Sequence, residues 1–282
     1  MLKRILVPLE TSPYTPTATR AAAEIALHAR PISGAAVSVL GLGIVDTEQI
    51  PKGRFASLVP REEIVAESRG KVEELIAQFR ELTASLGLTP EQVETRVEEG
   101  PPYRKIIHES VLCDLVVMGP VFSFPPLLED YQTLKHLYHH CSRPLILTGA
   151  EHRPVETVVM AMDGTGPSSR MMYSYAHLNP FPQARVVLLF SRAEEQQYNL
   201  AGFFDRVADY LRAYELRIEV QAVDGPLEAQ LPAVVQQQGA AMVALGIPAE
   251  QFMERFRDSL GLGEGAVQRL LRETGCALFS VH

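Results

Sequence analysis

The sequence predicts an α/β fold of two doubly wound domains, each a five-stranded parallel sheet with helices on both faces, and three observations carry that expectation. The first is a duplication. Arg4–Arg30 reads RILVPLETSPYTPTATRAAAEIALHAR and Thr157–Leu178 reads TVVMAMDGTGPSSRMMYSYAHL. Each is an apolar run, an acidic residue, a small polar turn and then a helical pattern. Glu98–Pro120 (EEGPPYRKIIHESVLCDLVVMGP) is echoed by Ala222–Pro248 (AVDGPLEAQLPAVVQQQGAAMVALGIP), and His139–Thr148 by Arg272–Val281. Matches in one order make a repeat of about 130 residues, the size of a domain rather than of a solenoid unit. The second is that the apolar runs are short and do not alternate cleanly, as parallel strands buried on both faces read. The third is that these runs are separated by helical patterns, which gives right-handed strand–helix–strand crossovers.

Taken in order, the first strand covers Ile5–Leu9. Thr15 and Pro16 serve as N-cap and first helical residue of a helix running to about Ala29. A second strand is expected at Ala36–Leu40, and a long helix at Glu62–Leu86 with Val72, Leu75, Ile76, Phe79 and Leu82 on one stripe. Val93–Val97 alternates and reads as an edge strand. Helices at Tyr103–Val111 and Leu127–Cys141 bracket the strand Leu115–Met118, and Leu145–Leu147 closes the unit. The second unit repeats the scheme with strands at Val158–Met162, Arg185–Phe190, Leu216–Ala222, Met242–Leu245 and Ala277–Val281. The polar stretch Gly149–Glu156 separates them, so the expected domains are 1–150 and 151–282 with a short linker.

Composition narrows the function classes. With 46% hydrophobic and 21% charged residues, the 282-residue chain can bury two ordinary cores. No apolar run approaches the roughly 20 residues of a membrane span, and Met-Leu-Lys-Arg-Ile-Leu-Val-Pro enters a strand without a signal-peptide core. Cys113, Cys141 and Cys276 have neither paired spacing nor an even count. That is the usage of a reducing compartment, so a cytoplasmic location is expected, with no membrane partner. A net charge of −8 without a Lys/Arg cluster excludes a general nucleic-acid surface.

The opening ILVPLETS, the Gly-Pro-opened helix, DLVVMGP and the closing SRPLILT together resemble the universal stress protein family, here in tandem and over essentially the whole chain. The resemblance implies strand order 3-2-1-4-5 in each domain. It also implies a role in stress response, ATP or AMP as the ligand of many members, and pairing through the fifth strands. Those strands are Leu145–Leu147 and Ala277–Val281 here, which would make the halves an intramolecular pseudo-dimer that leaves further homodimerisation open.

In an open parallel sheet, ligands sit at the carboxyl ends of strands where the order reverses, here between the first and fourth. The relevant loops are Glu10-Thr11-Ser12 with Gly119 onward, and Asp163-Gly164-Thr165 with Gly246 onward. Nucleotide-binding members of the family carry an acidic residue after the first strand. After the fourth they carry G-x2-G-x9-G-[ST], whose glycines bring backbone N–H groups to the phosphates. In the first half Glu10 takes the acidic position, Phe122 the second glycine and Tyr131 the third. No Lys or Arg lies between Gly119 and Gln132, while Glu129 and Asp130 add negative charge. ATP binding there is not expected. The second half keeps Asp163, Gly164, Thr165 and Gly246, puts Ala249 at the second glycine, and carries Gly261, Gly263 and Gly265 before its last helix. The residues expected to hold a nucleotide are therefore Asp163, Gly164, Thr165, Gly246, Gly263 and Gly265. The inserted Glu250–Gly261 places Phe252, Met253 and Phe256 on one face, for packing or as a ligand lid.

Other groups weigh less. His136 and His140, four apart, with His139 and Cys141, have metal-capable side chains, but spacing assigns no third ligand and the helix is amphipathic in the ordinary way. Cys113 and Cys276 read as core thiols, with Asp114 raising rather than lowering the Cys113 pKa. Lys52 and Arg54, in the loop after the second strand, are within reach of a ligand or simply solvated. No G-x-S-x-G elbow, Walker A loop or H-E-x-x-H is present. The expected activity is binding, of a ligand or a protein, without catalysis and without a metal. A slow nucleotide hydrolase at Asp163 and a ligand-free regulatory scaffold stand as the alternatives.

Overall fold

The computed structural model describes residues 2–29, 36–48, 50, 60–126, 128–129, 131–247 and 266–281. Contacts divide the chain into two compact units. One comprises Lys3–Leu27 and Pro31–Arg143, and the other comprises Pro144–His282 with Met1–Leu2 and His28–Arg30. The sheets are parallel in their main part and flanked by helices.

In the N-terminal unit, β1 (Arg4–Leu9) lies between β2 (Ser38–Val45) and β4 (Leu115–Met118), and β3 (Val93–Glu99) sits outside β2, all parallel. β1 and β4 are buried on both faces, as the unbroken apolar runs require, whereas β3 alternates in exposure as an edge strand does. The helices are α1 (Tyr14–His28), α2 (Arg61–Ser85), α3 (Pro102–Ser110) and α4 (Tyr131–His140). The α2 stripe Val72, Ile76 and Phe79 is buried against β2. Gly41 and Gly43 make this close approach feasible: a Cβ at Gly43 would stand 2.4 Å from Val72 Cγ1, and one at Gly41 2.7 Å from the Phe79 ring.

Two expectations shift here. β2 starts at Ser38 and continues to Val45, later than Ala36–Leu40, because its two glycines serve helix packing rather than ending the strand. The helix expected from Leu127 begins only at Tyr131. Before it, β5 (Ser123–Phe124) and β6 (Leu128–Glu129) pair antiparallel across a turn containing Pro125 and Pro126, whose rings resist helical continuation.

In the C-terminal unit, β8 (Thr157–Ala161), β9 (Arg185–Ser191), β10 (Arg217–Val223), β11 (Met242–Gly246) and β12 (Ala277–Val281) are parallel and lie in the order β10-β9-β8-β11-β12. This is the 3-2-1-4-5 sequence of strands. β7 (Leu145–Leu147) belongs to the same unit and pairs antiparallel with β12 through Leu278↔Leu147, Phe279↔Ile146 and Ser280↔Leu145. The helices are α5 (Gly166–Leu178), α6 (Arg192–Gln197), α7 (Phe203–Arg212), α8 (Leu227–Gln238) and α9 (Ala266–Thr274). Val158, Val159, Met160, Val187 and Leu188 are fully buried at the centre. No helix among the described residues is long and apolar enough to cross a membrane.

Candidate functional site

The two switch points are built from the same parts and end up in different states. In the N-terminal unit the chain leaves β1 at Glu10, which is buried at 2% exposure. Its carboxylate accepts from the Ser12 N–H at 2.7 Å, from the Ser12 hydroxyl and from the Ser123 N–H at 3.2 Å. The Thr15 hydroxyl stands 3.2 Å from it. Burial pushes the Glu10 carboxyl above the usual carboxylate range, and these hydrogen bonds oppose that shift. Ser123 in turn accepts from the Thr11 N–H and hydroxyl, both at 2.8 Å, and the Pro125 carbonyl accepts from the Asp46 N–H at 2.8 Å. The segment after β4 is thereby tied to the carboxyl ends of β1 and β2. Phe122 and Phe124 are buried and stacked with ring centres 6.1 Å apart. Ser123 and its neighbours thus stand directly against Glu10 at the carboxyl end of β1.

In the C-terminal unit the corresponding position is open. A cleft of about 450 Å³ lies at the carboxyl ends of β8 and β11, within the range of small-molecule sites. Its base is Ala161, Leu245, Gly246 and Ile247; α5 contributes Ser168, with Asp163 and Thr165 just before it. Glu194, Gln197 and Tyr198 come from α6 and its end, and Pro226, Leu227, Glu228, Leu231 and Pro232 from the start of α8. Asp163 Oδ1 accepts from the Thr165 N–H at 2.9 Å and hydroxyl at 2.7 Å, an Asx turn that aims the chain into α5. Gly164 takes φ +77°, a conformation that a side chain would strain.

Of the residues expected from sequence, Asp163, Thr165 and Gly246 line this cleft, Gly164 shapes its turn, and Gly263 and Gly265 lie outside the described residues. Ala249, the 250–261 insert, Lys52 and Arg54 also lie outside them. Gly246 has a packing role. A Cβ there would stand 2.2 Å from the Pro167 carbonyl carbon and 2.3 Å from the Ser168 nitrogen, so glycine lets the start of α5 rest on the end of β11. Gly119 does the same beneath Tyr14, whose Cβ would be 2.3 Å away.

The wall from α6 and α8 was missed in the sequence. Its signal was present: Ser191-Arg192-Ala193-Glu194 is an S-x-x-E helix start placed directly after a strand. Ser191 Oγ indeed accepts from the Glu194 N–H at 3.3 Å, and Glu194 Oε1 accepts from the Leu227 N–H at 3.3 Å, joining the starts of α6 and α8.

Elsewhere, no group of three His, Cys, Asp or Glu suited to a metal occurs among the described residues. His136 stacks on Tyr103 at 4.3 Å between ring centres. The three cysteines are free and buried. Burial pushes Cys113 up to about 11, with Asp114 a minor contributor, and also raises Cys276.

The model of the universal stress protein family matches residues 1–121. No curated protein matches the chain. Among solved structures, a universal stress protein from Archaeoglobus fulgidus DSM 4304 superposes with a TM-score of 0.69 at 12% identity, covering 99% of this chain and 97% of that one. A functionally unknown protein from Pseudomonas aeruginosa PAO1 gives 0.54 at 15% identity, covering 99% and 92%. At these identities the likeness concerns the fold, and it extends over both halves.

Proposed function

We propose that this chain, which belongs through residues 1–121 to the universal stress protein family, acts in stress response as a ligand-binding protein whose site is the C-terminal switch-point cleft. The observation that carries this reading is the contrast between two equivalent positions. At one, the Ser123 N–H reaches the buried Glu10 carboxylate, and at the other a cleft of about 450 Å³ lies beside Asp163. The adenine nucleotides implied by the family would place base and ribose against Asp163 and the apolar wall. Their phosphates would gain little, because the described lining holds no Lys or Arg. Catalysis is not part of this reading. Phosphoryl transfer needs a cationic or metal clamp on the phosphates, and the described lining offers carboxylates instead. We place this division of labour between the 1–150 and 151–282 halves of the repeat.

The test is calorimetric titration of the intact chain with ATP, ADP, AMP and adenosine, with magnesium present. ATP should bind no more tightly than AMP. Asp163→Ala should weaken binding by about tenfold or more, as loss of a charge-assisted hydrogen bond does, while Glu10→Gln should leave it unchanged. Binding that survives Asp163→Ala and is lost with Glu10→Gln would transfer the site to the other half.

A further inference from the structure

We infer that the C-terminal cleft selects an organic cation, a primary ammonium carried on an apolar body, over an anionic ligand. This rests on the reading of that cleft as the ligand site and assigns the chemistry of what enters it.

The argument is an inventory of what the lining can donate and accept. Asp163 uses only Oδ1 in its turn, and Glu194 uses only Oε1 on the Leu227 N–H. Each keeps a second carboxylate oxygen with no partner among the described residues. Two of the lining hydroxyls are already spent as donors: Thr165 donates to Asp163 at 2.7 Å and Ser168 to the Thr165 carbonyl at 3.0 Å. Pro226 and Pro232 have no N–H, and the Leu227 N–H is taken by Glu194. Gly246, which would form the start of a phosphate loop, is covered by Pro167 and Ser168. Glu228 adds a third acidic residue to the wall, and the described lining contains no Lys, Arg or His. Arg170, one turn further along α5, has its guanidinium beside Gly166 and does not line the cleft.

Gln197 and Tyr198 add neutral donors, so the described lining offers charged acceptors and no charged donor. An ammonium group brings three donors and a positive charge to it, whereas a phosphate brings neither. The remaining surface, Leu231, Leu245, Ile247 and Leu270, is apolar and suits a hydrocarbon or aryl body. Tyr198 stands at the same cleft and offers a ring face that attracts cations.

The experiment uses the intact chain and a matched pair of probes, phenethylamine and 2-phenylethanol, which differ in ammonium against hydroxyl, with AMP as the anionic comparison. Calorimetry should show the amine binding at least about tenfold more tightly than the alcohol, with the margin shrinking as salt is raised. Asp163→Asn and Glu194→Gln keep the oxygen that each residue uses in its turn or cap but remove the charge. Each should weaken the amine about fivefold and leave the alcohol unaffected. Equal affinity for amine and alcohol, or AMP binding more tightly than the amine, overturns the inference. AMP binding that depends on Asp163 without amine binding would sink the inference alone. Binding of every probe that is indifferent to Asp163 would sink the site as well.

Discussion

At the scale of single residues, Gly119 and Gly246 have a packing role that their place at a strand end does not announce. Both stand at the end of the fourth strand of their repeat, and in both units the missing Cβ makes room for a helix start, Tyr14 in one and Pro167-Ser168 in the other. Gly246→Ala should cost about 1–3 kcal/mol of stability, measured as a lower urea midpoint, because the Pro167 backbone has to move. Full retention of the midpoint would show that α5 can slide without cost. Glu10 makes a second residue-scale prediction. Its pKa is raised in the folded protein from the ordinary 4.5. The unfolded chain therefore ionises first as pH rises. The stabilising contribution is complete below the unfolded pKa and is lost as pH climbs through the folded one. Urea midpoints of the wild type and Glu10→Gln, compared from about pH 4 to about pH 7, should show the wild-type advantage falling with pH. A rising advantage would mean that the donors of Ser12 and Ser123 outweigh burial.

At the scale of elements, most of the fold was legible because each strand is an apolar run and each helix an apolar stripe with a start signal. Val72, Ile76 and Phe79 were read as one face of α2 and are its buried face. The misreadings have local causes. Gly41 and Gly43 break an apolar run to the eye, but they sit mid-strand under the α2 side chains. The stretch before α4 reads as helical, whereas Pro125 and Pro126 turn it into a hairpin tied to the end of β1. No periodicity signal predicts that tie, since it depends on Ser123 reaching Glu10 across 113 positions of sequence. For the same reason Asp163 and Thr165 could be found from the strand end, while Leu227 and Leu231 came to the cleft only through the packing of α8. Phe79, 2% exposed over Gly41, ties α2 to β2, so Phe79→Ala should cost about 3–5 kcal/mol. Hydrogen exchange should then be fastest in α2 and β2 amides, and an effect spread evenly over the unit would argue against this local seam.

At the scale of the whole molecule, the division of the chain is decided by strand β7. By sequence Leu145–Leu147 closes the first repeat, before the polar stretch 149–156. By contacts it belongs with the C-terminal unit, where it pairs antiparallel with β12 and would otherwise leave that edge of the sheet unpaired. An open edge strand exposes a row of N–H and C=O groups to unwanted pairing, so β7 protects β12 as well as packing on it. Ile146, fully buried and opposite Phe279, is the centre of this seam. Ile146→Asp places an unpaired charge there and should cost at least about 3 kcal/mol. The location of the damage is the sharper readout. Amides of Leu278, Phe279 and Ser280 should lose exchange protection at mild denaturant, and the ladder of β1, β2 and β3 should keep its own. If the β1–β3 ladder opened first, β7 would be a structural part of the first repeat, and the boundary would return to the polar stretch after it.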